Sequence, residues 1–356
     1  MNHELYEKKY NIKIICPENQ SEFNHFLENR FILAFDNLGK SFDYFKIRFL
    51  VNKKNIRLIL FQNIGYFSNQ TTLEKNISLK NWFYIQKRIF TKKIFRFFVY
   101  LKLFSSIYLY FECRKDIVEN CLKNEKKYLN KNNLFNYLYF ENTIKINSRS
   151  YDKFIKNINN ISDEKIIFID GNYKHLDVLY RENIDLEKIK IKYFEKLSNF
   201  LKDIQKTINK EVIISLHPSS NLEEYKKLLS DFKLSQYSTE KNIYSSYIVI
   251  FHESSSIDTA IFLKKRIISL KTDLFGEYFL NRIKKYNQTL DLLSIDLNDE
   301  FNFDKKSLEE KTQINEKKYD NYINNYLKSD ENELGSIKVY KTLEQHFNLL
   351  NKSNDK

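Results

Sequence analysis

The sequence predicts an α/β protein in two halves, each organised around a parallel sheet. Two observations carry this. From Lys165 to Lys271 one unit recurs three times: a short apolar run, a polar corner, then a helical pattern. Short β-branched runs alternating with helical segments mark parallel strands covered on both faces. A looser version of the same alternation fills the earlier part of the chain, and 356 residues suffice for two domains of ordinary size. We place the halves at residues 1–150 and 151–350. They join near 141–164, where the chain turns polar and rich in Asn, Ser and Lys. Tyr151 and Phe154 are the last apolar anchors of that stretch.

In chain order, Asn11–Cys16 reads as a first strand, followed by a helical segment from Asn19 to Asn29. Phe31–Phe35, Ile56–Phe61 and Ser106–Glu112 read as further strands. Between Leu79 and Phe104 aromatic and basic residues are dense, and Arg88, Lys92 and Arg96 fall on one helical stripe. Such a helix either lies on an anionic membrane surface or packs in a core with one solvated face. The second half opens on Lys165–Asp170 (KIIFID), Glu211–Leu216 (EVIISL) and Tyr247–Phe251 (YIVIF), and Arg266–Leu270 (RIISL) closes the series. Beyond it, Asp296–Lys311 reads as a charged surface loop, and Glu316–Leu327 and Ser336–Leu350 as helices. The last six residues read as a disordered tail.

Composition narrows the classes. Hydrophobic residues at 42% and aromatics at 16% exclude a disordered chain. The three cysteines, Cys16, Cys113 and Cys121, are scattered without a CxxC pair. That argues for a reducing compartment and against a disulfide framework or a structural zinc. The N-terminal stretch lacks the apolar core of a signal peptide, and no window reaches the roughly 20 apolar residues of a spanning helix. The expectation is a cytoplasmic protein, with peripheral contact to the inner membrane face as an option through 79–104. Net charge is +13. Lys far outnumbers Arg, and Asn, Ile, Phe and Tyr are abundant, so part of the excess reflects an AT-rich genome. The remainder favours anionic partners such as nucleotides, phospholipid headgroups or nucleic acid. A basic nucleic-acid-binding protein is one class this allows. Against it, 46 acidic residues accompany the basic ones, and no RRM, KH or helix-turn-helix signature occurs.

In doubly wound sheets ligands bind outside the carboxyl ends of the strands, where the three polar corners meet. The first corner is Asp170-Gly171. A carboxylate at a strand end can serve as general base on an incoming hydroxyl. Gly171 permits a positive φ or a close substrate approach. The second is His217-Pro218-Ser219-Ser220, with Ser220 and Glu223 in capping-box spacing. Pro218 fixes the backbone so that His217 faces the sheet edge, where an imidazole donates to a phosphate or protonates a leaving group. The third is His252-Glu253-Ser254-Ser255-Ser256, with Ser255 and Asp258 in capping-box spacing before an apolar run. A helix start combined with three hydroxyls predicts a phosphate cradle, beyond what a cap alone requires. Glu253 is a second candidate base, although its charge opposes a phosphate unless it turns away.

These residues, in this order, resemble the bacterial sialyltransferases and polysialyltransferases, and more broadly the GT-B glycosyltransferases of capsule and lipooligosaccharide synthesis. The likeness spans about Lys165–Leu270. It implies two Rossmann-like domains facing one another across a cleft. It also implies an inverting transfer of an acidic sugar, such as sialic acid, another nonulosonic acid or Kdo, from a CMP-linked donor to a glycan or lipid-linked acceptor. By the resemblance Asp170 is the catalytic base and His217 binds the donor phosphate and assists its departure. The serine pair, Ser255 and Ser256 or Ser254 and Ser255, holds the same phosphate. Gly171, Pro218 and Glu253 border the substrate. The family carries two acidic residues before the Gly, whereas here the first of these positions is Ile169. The same elements also resemble CDP-glycerol glycerophosphotransferases, which makes a polyol-phosphate transferase the alternative. No DxD motif, GxGxxG or P-loop occurs. The expectation is therefore a metal-independent enzyme with a nucleotide-linked donor and no cofactor.

Overall fold

The computed structural model describes residues 33–35, 52–53, 57–62, 90, 94, 98, 107–124, 140–157, 162–171, 173–174, 184–329 and 333–354. The strand expected at Asn11–Cys16, the helix at 19–29 and most of 79–104 lie outside them. Within 79–104, Phe90, Ile94 and Phe98 are helical, and Phe90 is 60% exposed.

The strands form two parallel sheets. The first holds β1 (Leu33–Phe35), β2 (Arg57–Gln62), β3 (Ile107–Glu112) and β4 (Phe140–Lys145), in that order. Helix α1 (Lys115–Asn124) connects β3 to β4. Leu109 and Phe111 are fully buried and pack with Ile59 and Ile146. At the carboxyl end of β3, Arg114 pairs with Glu112 at 2.8 Å, both buried, and Tyr110 donates to the same carboxylate. A buried pair of this kind is tolerable because its remaining polar atoms are also bonded.

After β4, helix α2 (Arg149–Asn157) leads to the second sheet. Its strands are β5 (Lys165–Ile169), β6 (Val212–Leu216), β7 (Lys233–Gln236), β8 (Ser246–Phe251), β9 (Arg266–Lys271) and β10 (Leu293–Asp296). The order across the sheet is β7-β6-β5-β8-β9-β10, all parallel. This is the 3-2-1-4-5-6 order of a Rossmann sheet, and its direction reverses between β5 and β8. Alternate residues of one strand enter different cores. Ile166 and Phe168 face one side with Ile214 and Ile250, and Ile167 and Ile169 face the other with Ile213 and Val249. Burial on both faces explains why these strands read as unbroken apolar runs.

The connecting helices cover each face. On the first side lie α3 (Leu186–Ile208) and α4 (Leu222–Leu228). On the second lie α5 (Thr239–Tyr244) and α6 (Ile257–Phe262). Helix α7 (Gly276–Leu290) contributes to both, Phe279 and Ile283 to one and Tyr286 and Leu290 to the other. The segment expected as a surface loop instead ends β10 at Asp296 and contains α8 (Lys305–Lys311), capped by Asp304. Its Leu308 is fully buried, which supplies the reason for the helix.

Helix α9 (Glu316–Tyr322) and a π turn (Ile323–Leu327) then bring the chain back. The last helix, α10 (Gly335–Asn354), packs Val339 and Leu343 on the first sheet's core, and Tyr108 shares a hydrogen bond with His346. Helical residues 351–354 take the place of the expected tail. The return is stitched to α2: Asp152 accepts from the backbone N–H of Gly335 (2.7 Å) and Ser336 (2.9 Å). Gly335 also lies so close to Asn147 that a Cβ would stand 2.2 Å from its carbonyl oxygen.

Candidate functional site

The three corners lie on one edge because all strands of the second sheet run the same way. Corner one follows β5, with corner two after β6 on one side and corner three after β8 on the other. The reversal point between β5 and β8 is where Rossmann sheets open a crevice.

Corner one is tied to both neighbours. Asp170 is 3% exposed, so it is not the open carboxylate that its Asp-Gly setting predicts. Its Oδ2 accepts from the Ser220 hydroxyl at 2.9 Å and its Oδ1 from the Tyr225 phenol at 3.0 Å. Both partners belong to corner two and its helix, so Asp170 clamps the two corners together. Gly171 serves space rather than a left-handed turn, since its φ is not positive. A Cβ there would stand 2.6 Å from the Glu253 carbonyl oxygen, which places corner three directly against corner one. A further lock involves Glu224 of α4, which takes hydrogen bonds from Tyr173 (2.8 Å) and Lys174 (2.9 Å) and pairs with Lys190. Burial raises the Glu224 pKa, but the bonds from Lys190, Lys174 and Tyr173 outweigh it and hold the carboxyl at about 2.

At corner two the capping box does not form. Asn221 caps α4, accepting from the backbone N–H of Glu223 and Glu224. Ser220 is displaced from that role because its hydroxyl is spent on Asp170. His217 is half-buried at the edge, and Pro218 beside it is exposed. The His217 Nδ1 receives the Ser219 backbone N–H at 3.2 Å and lies 2.7 Å from the Ser219 Oγ. A backbone N–H can only donate, so we assign the lone pair to Nδ1 and the neutral ring's proton to Nε2. His217 thereby carries its N–H on Nε2, at the sheet edge.

At corner three, Ser256 stands at the N-cap of α6, and no side chain caps that helix. Ser254 Oγ accepts from the Ser256 backbone N–H at 3.2 Å, and Ser255 is exposed. Asp258, the expected partner of Ser255, instead turns into the protein and accepts from Tyr322 at 3.0 Å. Burial pushes its carboxyl pKa up to about 7. His252 is also buried, donating from Nδ1 to the Leu270 carbonyl at 2.9 Å among the rings of Phe168, Tyr193, Phe275 and Phe279. Burial lowers its pKa to about 4, and its Nε2 has no hydrogen-bond partner. It is a core histidine.

Glu253 has a cationic partner: its Oε1 pairs with Arg282 of α7 at 2.5 Å. Arg282 carries no motif, and its distance from corner three in sequence hides the pairing. Its one signal is that Arg persists at all in a Lys-biased chain, which marks positions needing a guanidinium fork.

The edge thus unites Asp170 with Ser220 and Gly171 with Glu253. His217 and Ser254–Ser256 follow strands on opposite sides of β5. Strands β6 and β8 flank β5, so at strand spacing their ends stand about 10 Å apart. His217 and the serines flank that gap from opposite sides. Among the described residues, no three His, Cys, Asp or Glu side chains gather as a metal site, and no helix is long and apolar enough to cross a membrane.

No family model matches the chain, and no curated protein does. Solved structures give faint likenesses. The UDP-GlcNAc 2-epimerase from Methanocaldococcus jannaschii is 13% identical, with a TM-score of 0.46 over 96% of this chain and 89% of that one. A putative UDP-N-acetylglucosamine 2-epimerase from Listeria monocytogenes is 12% identical, with a TM-score of 0.44 over 97% and 86%. The wall teichoic acid polymerase TagF is 14% identical, with a TM-score of 0.39 over 85% and 70%. Likenesses this slight carry no function across; the fold and site rest on the chain's own strands and corners.

Proposed function

We propose that the protein is a glycosyltransferase that moves an acidic sugar from a CMP-linked donor to a surface-glycan acceptor. The observation that carries the reading is the junction of three corners at the reversal point of the second sheet, clamped by Asp170–Ser220 and Gly171–Glu253. That junction leaves His217 and Ser254, Ser255 and Ser256 flanking one gap. A CMP-linked sugar has a single phosphodiester to hold. The His217 Nε2–H donates to it from one side and the serine hydroxyls from the other. As the bond to the sugar breaks, charge grows on the phosphate, and donors already in place stabilise it.

Asp170, with both oxygens occupied, acts as a positioning residue. Glu253 is the more exposed carboxylate, its side chain 25% exposed against 3% for Asp170, and it takes the proton of the attacking hydroxyl. Arg282 shields Glu253 in the free protein and moves to the acidic sugar's carboxylate when the donor binds. The same Arg282 favours a second reading, a CDP-linked polyol-phosphate transferase, because a second phosphate calls for a second cation. The acceptor reaches the site at the cytoplasmic face of the membrane, with 79–104 as the contact. The exposed, helical Phe90 supports this.

The test is a hydrolysis and transfer screen across CMP-, CDP-, UDP- and GDP-linked donors. Turnover of CMP-sugars supports the first reading and turnover of CDP-glycerol the second. Salt-sensitive oligonucleotide binding with no donor turnover would replace both by a nucleic-acid-binding role.

A further inference from the structure

Tyr237 stands immediately after β7, on the same edge as His217. Its φ is 65°, in the left-handed region that a side chain with a Cβ disfavours. The other described non-glycine residues with positive φ are explained by helix ends. Asn209 and Asp291 are the C-caps of α3 and α7, and Lys264 follows the C-cap of α6. Tyr237 ends no helix. Nor does burial repay the strain, because the residue is 78% exposed.

What holds Tyr237 is the second corner. Its phenol donates to the Pro218 carbonyl at 3.3 Å. The preceding Gln236 donates from Nε2 toward three carbonyls of that corner, those of His217 (3.2 Å), Pro218 (3.2 Å) and Ser220 (3.0 Å). An aromatic ring is thus held in the open beside the candidate phosphate-binding histidine by a backbone that resists the pose. Strain maintained in this way concentrates where ligands are gripped.

We propose that Tyr237 is the stacking platform for the donor's nucleobase. The inference rests on the transferase reading and adds direction to it. Along the edge the order is β8 with Glu253 and the serines, then β5 with the Asp170 clamp, then β6 with His217, then β7 with Tyr237. A phosphate between His217 and the serines sends its sugar toward Glu253 and Arg282. The nucleoside extends the opposite way, past His217, and the ring waiting there is Tyr237. Every base has a flat face that an aromatic side chain can cover.

Calorimetric titration with CMP, and with ribose 5-phosphate as a probe lacking the base, tests this on wild type, Tyr237→Ala and Tyr237→Phe. Tyr237→Ala should weaken CMP binding about tenfold or more, the usual loss for one base stack. It should leave ribose 5-phosphate binding and the melting temperature unchanged, and Tyr237→Phe, which keeps the ring but loses the phenol's bond to Pro218, should retain most of the CMP affinity. CMP affinity unchanged in Tyr237→Ala, or both probes weakened equally, overturns the inference while the transferase reading stands. If wild type binds no nucleotide, the transferase reading fails and this inference falls with it.

Discussion

Replacing Gly171 by Ala perturbs the site at its narrowest point. The new Cβ would stand 2.6 Å from the Glu253 carbonyl oxygen. Ordinary contact needs about 3.5 Å, so corners one and three must part by roughly 1 Å. The obstacle is backbone, with no flexible side-chain end to swing aside. Asp170 next door is held by two hydrogen bonds and gives little ground. Overpacking of this kind costs about 1–3 kcal/mol. For a domain of this size that lowers the melting temperature by about 2–4 °C per kcal/mol. The functional loss should be larger, since a displacement of about 1 Å among reacting groups can cost on the order of 10²-fold in rate. Thermal unfolding read beside donor turnover measures both. Gly335→Ala is the comparison, because its Cβ meets the Asn147 carbonyl oxygen and not a carbonyl of the three corners. It should destabilise without weakening nucleotide binding. A Gly171→Ala protein with unchanged melting temperature and turnover would show that corners one and three are not in contact.

Four further outcomes are expected. Asp170→Asn should lower stability, because its new amide faces a hydroxyl or phenol that now donates to nothing. Glu253→Gln should spare stability and cut transfer by roughly 10²–10⁴-fold with nucleotide affinity retained; the opposite ranking returns the base to Asp170. Two buried groups of corner three should oppose one another in pH dependence. Asp258 has a raised pKa of about 7, so the folded state binds the extra proton and this group's contribution to stability falls as pH rises from about 4 to 7. His252, lowered to about 4, does the reverse, its contribution rising from about pH 4 to 6.5. Relative to wild type, Asp258→Asn should therefore gain stability, and His252→Gln lose it, as pH climbs through those windows. Parallel melting curves for variant and wild type across that range would contradict the burial of the group replaced. Liposome sedimentation checks the membrane contact: Arg88, Lys92 and Arg96 changed together to Glu should abolish binding to anionic vesicles, and unchanged binding would remove 79–104 from that role.

The strands most legible in the sequence are those buried on both faces. Ile166, Ile167, Phe168 and Ile169 form an unbroken apolar run because each side of the sheet has its own core. The edge strands β4 (FENTIK), β7 (KLSQ) and β10 (LSID) are not legible, because partly exposed residues give neither a run nor a clean alternation. Capping boxes fail for a related reason. Spacing locates a helix start, but Ser220 and Asp258 are drawn off to Asp170 and Tyr322, partners distant in sequence. The meeting of the corners follows from strand direction and was readable. The Glu253–Arg282 pair, the strained Tyr237 and the return of α10 to the first sheet are tertiary facts with no local pattern.

The central claim is that His217 and the serines grip one nucleotide phosphate. Its most direct measurement is a thermal-shift series with CMP, CDP, UMP and inorganic phosphate, run on wild type and His217→Ala. The account predicts that CMP raises the wild-type melting temperature, with a shift that grows with concentration. His217→Ala should melt with wild type when no nucleotide is added and respond weakly or not at all to CMP. Equal CMP shifts in both proteins, or no nucleotide shift in wild type, would contradict it.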